Sequence, residues 1–215
     1  MNTKTVYHDN LIDRLFIALF SHKMAQAVGK KSIKSGYDAF VDLSFQIMRG
    51  RSALEQQELV AVVLKSLVPS LVLKMVRTLF SPTQWVCEWN AWFATKLFEW
   101  LVGPTQVQEV EIIGENGVKR TQKSQVYIEK CRYLEESGCV GMCINMCKLP
   151  TQKFFTEEFG IPLTMIPDFN DFSCKMIFGQ NPPPIEEEDA YHEPCLPLSC
   201  NMAQPERRSC PKVRG

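Results

Sequence analysis

Cys139, Cys143 and Cys147 recur at four-residue spacing in a run that begins at Cys131, and Cys174, Cys195, Cys200 and Cys210 follow in the same half of the chain. Thiolates are soft donors that suit zinc, iron and iron–sulfur clusters. With eight of the nine cysteines beyond residue 130, metal chemistry is expected there. A continuous helix would place Cys139, Cys143 and Cys147 along one face. Eight residues of helix rise about 12 Å, whereas a single ion holds sulfur at about 2.3 Å. One ion cannot take both Cys139 and Cys147 from a straight helix. Either Cys139 curls back in a loop, which the flanking Gly138 and Gly141 favour, or a cluster bridges the wider gap. The leading ligand set is Cys139, Cys143, Cys147 and Cys174, with Cys131, Cys195, Cys200 and Cys210 as a second set. The spacing matches neither zinc fingers nor bacterial ferredoxins. Cys87 stands apart and reads as a small apolar side chain.

Other chemistries lack their residues. His8, His22 and His192 show no paired spacing, and no nucleophile elbow, phosphate-cradling glycine loop or dinucleotide fingerprint occurs. Glu135-Glu136 and Glu157-Glu158 read as solvated charges. These absences count against hydrolase, kinase and dehydrogenase chemistry. Balanced charge, 24 basic against 24 acidic residues, gives no field for nucleic acid. The first residues show neither a secretory signal nor a transit peptide, so clustered thiols read as metal ligands before disulfides. No apolar run is long enough to span a bilayer.

The elements that must position the thiols fall into an α+β chain with an N-terminal all-helical bundle. Residues 1–104 read as a helical region around a substrate pocket. Apolar periodicity predicts helices near 11–28 and 40–48, closed by Gly29 and Gly50. Ser52 and Glu55 have capping-box spacing ahead of a third helix. Pro69 and Ser81-Pro82 start two more. The last of these carries all four tryptophans, Trp85, Trp89, Trp92 and Trp100, together with Phe93. Trp85, Trp89 and Trp92 share a face: a core stripe, a cavity wall, or a surface resting in a membrane interface.

Residues 105–180 read as a small α+β unit bearing cysteines. Alternation over 107–113, an Asn116-Gly117 turn and a return strand reaching Tyr133 form an antiparallel hairpin. A helix over about 140–159, interrupted or kinked near Pro150, precedes two short strands near 163–166 and 173–178. Residues 181–215 form a Pro-rich acidic linker without a packing pattern and a Cys-rich tail that needs an external tie.

At this level of detail the chain resembles a known family. Lys130-Cys131-Arg132-Tyr133-Leu134, Cys139-Val140-Gly141-Met142-Cys143 and Ser173-Cys174-Lys175-Met176-Ile177-Phe178-Gly179-Gln180 are similar to the plant β-carotene isomerases of strigolactone synthesis. Trp100-Leu101-Val102-Gly103-Pro104, Cys195 and Cys200 extend the likeness over nearly the whole chain. The resemblance implies a plastid iron protein, with non-haem iron or an iron–sulfur cluster, that interconverts all-trans- and 9-cis-β-carotene ahead of carlactone. It implies a carotenoid substrate, with downstream carotenoid-cleavage enzymes as partners. The aromatic helix, with Trp85, Trp89, Trp92 and Phe93, supplies walls for such a hydrocarbon, and a substrate that resides in membranes suits peripheral membrane contact without a spanning helix. Two other classes stay open on the residues alone: a metal-stabilised scaffold, and an iron–sulfur electron carrier.

Overall fold

The computed structural model describes residues 4–113, 119–197, 199, 200, 210 and 213. Helix α1 (Leu11–Val28) opens on Asn10, whose side chain accepts from the Ile12 and Asp13 amides while Asp13 bonds back to the Asn10 amide. This capping box satisfies amide donors that a helix N-terminus otherwise leaves open. Gly29 closes the helix in the left-handed conformation, with φ 74°. Helix α2 (Gly36–Met48) is the most deeply buried of the bundle, and α3 (Ala53–Leu67) starts on the expected Ser52–Glu55 box.

Pro69 caps α4 (Ser70–Leu79), one residue earlier than a first-turn position. Helix α4 leaves α3 at 86°, and of its ten residues only Leu73 is buried. Thr83, not Ser81, caps α5 (Gln84–Leu97), accepting from the Val86 amide. The tryptophan helix is interrupted. It breaks at Phe98, and Trp100 lies on the separate short helix α6 (Glu99–Val102). There Trp100 is buried in a cluster with Phe16, Phe20 and Phe40, whereas the other three tryptophans stay open.

Strands β1 (Thr105–Ile113) and β2 (Lys119–Ile128) form the expected antiparallel hairpin, with a bulge between Gln108 and Val110. The Asn116-Gly117 turn lies outside the described residues. The return strand is shorter than alternation suggests: it ends at Ile128, and Arg132 begins helix α7 (Arg132–Ser137). Arg132 is drawn inward because its guanidinium grips Asp9 at 2.5 and 3.1 Å and lies 3.7 Å above the Tyr37 ring. A charge so satisfied can leave a strand pattern without a desolvation penalty it cannot offset.

Residues 140–159 form one long helix with two widened stretches. Val140–Met142 and Leu149–Lys153 are α-helical, while Cys143–Lys148 and Phe154–Phe159 bond over five residues. The Leu149 amide bonds to Ile144, five residues back, immediately ahead of Pro150. Pro150 has no amide hydrogen for the helical ladder, and the wider turn beside it is the expected interruption. Strands β3 (Leu163–Pro167) and β4 (Cys174–Phe178) complete a four-stranded antiparallel sheet in the order β1-β2-β4-β3.

The acidic segment corrects a second expectation. It carries a turn at Ile185–Glu187 and a short helix, Asp189–His192, and Glu188 between them is buried. Its carboxylate forms an ion pair with buried Lys148. The segment is therefore tied into the core by a charge that no apolar pattern reveals. Beyond it Cys195, Cys210 and Val213 join the same hydrophobic core as α2 and β4.

Candidate functional site

The thiols are gathered by chain reversal at one end of the sheet. Cys131 follows β2 and donates its amide to the Phe172 carbonyl at 2.7 Å, while Cys174 opens β4 opposite Ile128. Phe172 adopts φ 67°, a left-handed conformation uncommon for a non-glycine residue, in the turn that makes this contact. The long helix is anchored beside the sheet by two side chains. Lys148 donates to the Met165 carbonyl and to Gln152, and Gln152 accepts the Met165 amide at 2.7 Å. Its widened turn carries Cys143 and Cys147.

Two groups of sulfur result, and they divide differently from the sequence expectation. Cys131, Cys143, Cys147 and Cys174 form an inner group whose charges act on one another. Cys139, Cys195, Cys200 and Cys210 form an outer group: the Cys195 thiol bonds with those of Cys210 and Cys200, which also act on Cys139. Cys139 is an extended residue capping the helix, preceded by Gly138 at φ 56°. This is the curled approach, and Cys200 and Cys210 of the tail act on the Cys139 thiol. Cys131 acts on Cys143, Cys147 and Cys174.

Burial pushes every one of these shifted thiols up, because a thiolate is costly in an apolar surrounding. Cys131 rises to about 11 and Cys147 to about 12, while Cys143 and Cys174 lie well above the usual range. Neighbouring sulfurs add to the rise, and Lys148 opposes it at Cys143, Cys147 and Cys174. Thiols gathered in this way are soft donors of the kind that zinc, copper(I) or an iron–sulfur cluster takes, and a bound metal keeps thiolates ionised. Among the described residues, no three His, Cys, Asp or Glu side chains already stand around a single ion position. All nine cysteines are free thiols.

Next to the inner group lies a cavity of about 600 Å³. Phe16 and Phe20 of α1, Leu67 of α3 and Val76 of α4 enclose one side. Trp85, Trp89 and Phe93 of α5 form another wall, with Trp89 stacked on Phe93 at 5.4 Å between ring centroids. Trp92 lies outside the lining and is exposed. Cys147, Thr151 and Phe154 of the long helix, with Met165 and Met176 of the sheet, form the floor. Among the described residues no charged side chain lines the cavity, and its Asn90 amide is already bonded to the Val86 carbonyl at 2.8 Å. Such a space recognises a ligand by shape and apolar contact. Cys147 belongs to both the wall and the sulfur group, so the two features meet at one thiol.

Lys148 and the phenylalanines of the long helix are the participants that sequence reasoning missed. A lysine gives no apolar signal, and Phe154 and Phe155 look like ordinary helix positions. Their spacing from Cys147 was the available clue. Of the glutamates read as solvated, Glu157 is exposed as expected, whereas Glu135, Glu136 and Glu158 each meet a lysine. Glu135 accepts from the Thr5 amide and the Tyr7 hydroxyl and meets Lys130 at 2.5 Å, while Glu158 meets Lys65.

Relatives of this chain carry the same overall length of sequence likeness. A β-carotene isomerase D27 from Medicago truncatula, described as chloroplastic, is 40% identical over 193 residues, covering 90% of this chain and 75% of that protein. The chain belongs to the D27-like β-carotene isomerase family. A second chloroplastic member, from Arabidopsis thaliana, is 40% identical over 198 residues, covering 91% of this chain and 73% of that protein. The D27-like C-terminal family model matches residues 100–187, which hold the sheet and the inner cysteines. No solved structure matches the chain.

Proposed function

We propose that this D27-like protein is a carotenoid isomerase that converts all-trans-β-carotene, or a closely related carotenoid, to the 9-cis isomer in the plastid. Family membership supports the reaction class, because both curated relatives are named β-carotene isomerases and chloroplastic. The observation that carries the reading within the molecule is the uncharged cavity of about 600 Å³ whose floor includes Cys147. A hydrocarbon polyene offers no polar handle, so a site for it relies on apolar walls and shape.

Rotating about a polyene double bond requires its bond order to fall briefly, without net oxidation. Iron held by Cys131, Cys143, Cys147 and Cys174 would supply reversible one-electron chemistry, which redox-inert zinc does not. The chain's own residues do the remainder. Trp89 and Phe93 present a stacked aromatic surface along the wall, and Phe154 and Phe155 line the floor. Thr151 and Cys147, one turn apart on the long helix, both border the ligand space. The product feeds strigolactone synthesis through carlactone in this reading.

The test is anaerobic purification, iron quantification and chromatography of isomers after incubation with all-trans-β-carotene in detergent micelles. Stoichiometric iron with accumulation of the 9-cis isomer is expected. Iron-loaded protein that leaves the isomer ratio unchanged defeats the proposal.

A further inference from the structure

The face of the molecule around α4 and α5 is apolar yet uncovered. Leu71, Met75 and Leu79 of α4 are 69%, 52% and 67% exposed, and Trp85 and Trp92 of α5 are 65% and 53% exposed. Exposed apolar residues scattered singly need no explanation, but a helix that turns 86° from its predecessor and buries one residue in ten does. Among the described residues no single helix is long and apolar enough to cross a membrane. Val76, Phe80, Trp85 and Trp89 line the cavity from the same two-helix segment, so the open face and the cavity wall are continuous.

We infer that α4 and the adjoining face of α5 form a monotopic lipid-docking surface, lying in one leaflet of an anionic bilayer at the rim of the cavity. Residue types favour lipid over another protein. Tryptophan prefers the membrane–water boundary, where the ring meets acyl chains and its N–H meets water. Charge is complementary to acidic lipid headgroups. Residues 70–97 contain Lys74, Arg77 and Lys96, all exposed, against Glu88 alone. One N–H of Arg77 donates to the carbonyl of exposed Glu157 at 2.7 Å, which leaves Lys74 and Lys96 as the unengaged cations of the segment among the described residues. The Glu88 carboxylate is engaged with the Lys123 amide of β2 at 3.0 Å and with Gln84. An amphipathic helix with basic residues beside leucines has the composition of an interfacial helix. Docking rests on this surface alone; delivery of carotenoid from the bilayer to the cavity rests in addition on the isomerase reading.

The experiment is co-sedimentation of the full chain with vesicles of phosphatidylcholine, with and without phosphatidylglycerol, while following tryptophan emission. The expected result is binding that strengthens with phosphatidylglycerol, a blue shift from the three exposed tryptophans, and quenching by bromine-labelled acyl chains. A Leu71→Glu, Met75→Glu, Leu79→Glu variant should bind at least about tenfold more weakly. None of the three side chains lines the cavity, so its circular dichroism and turnover of micellar carotene should match the parent protein. No vesicle binding by the parent, or equal binding by the variant, overturns the inference. A concentration-dependent dimer that the variant loses, without vesicle binding, overturns it in favour of a protein partner. Loss of turnover with retained vesicle binding instead indicts the isomerase reading and leaves docking standing.

Discussion

The ammonium of Lys148 is paired with the carboxylate of Glu188, forty residues later, with both side chains almost fully removed from solvent. Gln152 donates to Glu188 and accepts from Lys148, so the helix, strand β3 and the acidic segment share one polar knot. The pair joins the sulfur-bearing turn to a segment that would otherwise have no anchor.

Removing one partner leaves a buried charge uncompensated. Glu188→Leu should lower stability by about 3–5 kcal/mol, read as a fall in denaturation midpoint. Lys148→Met combined with Glu188→Leu should recover much of that loss, because no lone charge then remains. If the double variant is as unstable as the two single losses summed, the pair is not the coupled unit described.

The division of sulfur predicts unequal consequences for cysteines that look equivalent in sequence. Cys147→Ser, in the inner group, should remove bound iron and isomerase activity together. Cys200→Ser, in the outer group, should leave iron content near the parent level while lowering the melting temperature through a loosened tail. Metal analysis and thermal unfolding of both proteins separate the outcomes. Equal iron loss would merge the two groups into one site.

Much of this arrangement was legible in the chain. Capping at Ser52–Glu55, the Gly29 stop, the hairpin and the strand pair all follow from local chemistry, because turns and caps are read from neighbouring residues. What failed was non-local. Arg132 continues a strand alternation by type, yet Asp9 and Tyr37, more than ninety residues earlier, take it into the interior. Glu188 sits in a run of acids whose solvated appearance hides the buried lysine. The placing of Cys131 beside β4 turns on the Phe172 carbonyl, which is not visible in cysteine spacing.

The N-terminal segment is held by a titrating carboxylate. Burial alone would raise Glu135, but Lys130, the Thr5 amide and the Tyr7 hydroxyl outweigh it and bring the group below its ordinary value of 4.5. A carboxyl lowered in the folded state contributes stability that is fully present above its unfolded value. That contribution is lost as pH falls through the lower folded value. Glu135→Gln should therefore be less stable than the parent at pH 7, and the gap should close as pH drops below 4.5. Urea midpoints measured across that range check it, and a gap that widens in acid contradicts the assignment.

The cavity wall separates two tryptophans three residues apart on α5. Trp89 lines the ligand space and stacks on Phe93 with the rings 8° from parallel, whereas Trp92 points outside the lining. Trp89→Ala removes a large apolar surface and leaves Phe93 without its stacking partner, so carotene affinity should fall at least about tenfold. The inner thiols lie on other elements, and iron content should hold. Trp92→Ala should leave affinity for micellar carotene within about twofold, since interactions with the ligand space are untouched. Carotene titrations followed by polyene absorbance, alongside metal analysis, provide both readouts. Equal loss in the two variants would place the ligand outside the cavity, and loss of iron with Trp89→Ala would show that the wall and the sulfur group fold as one.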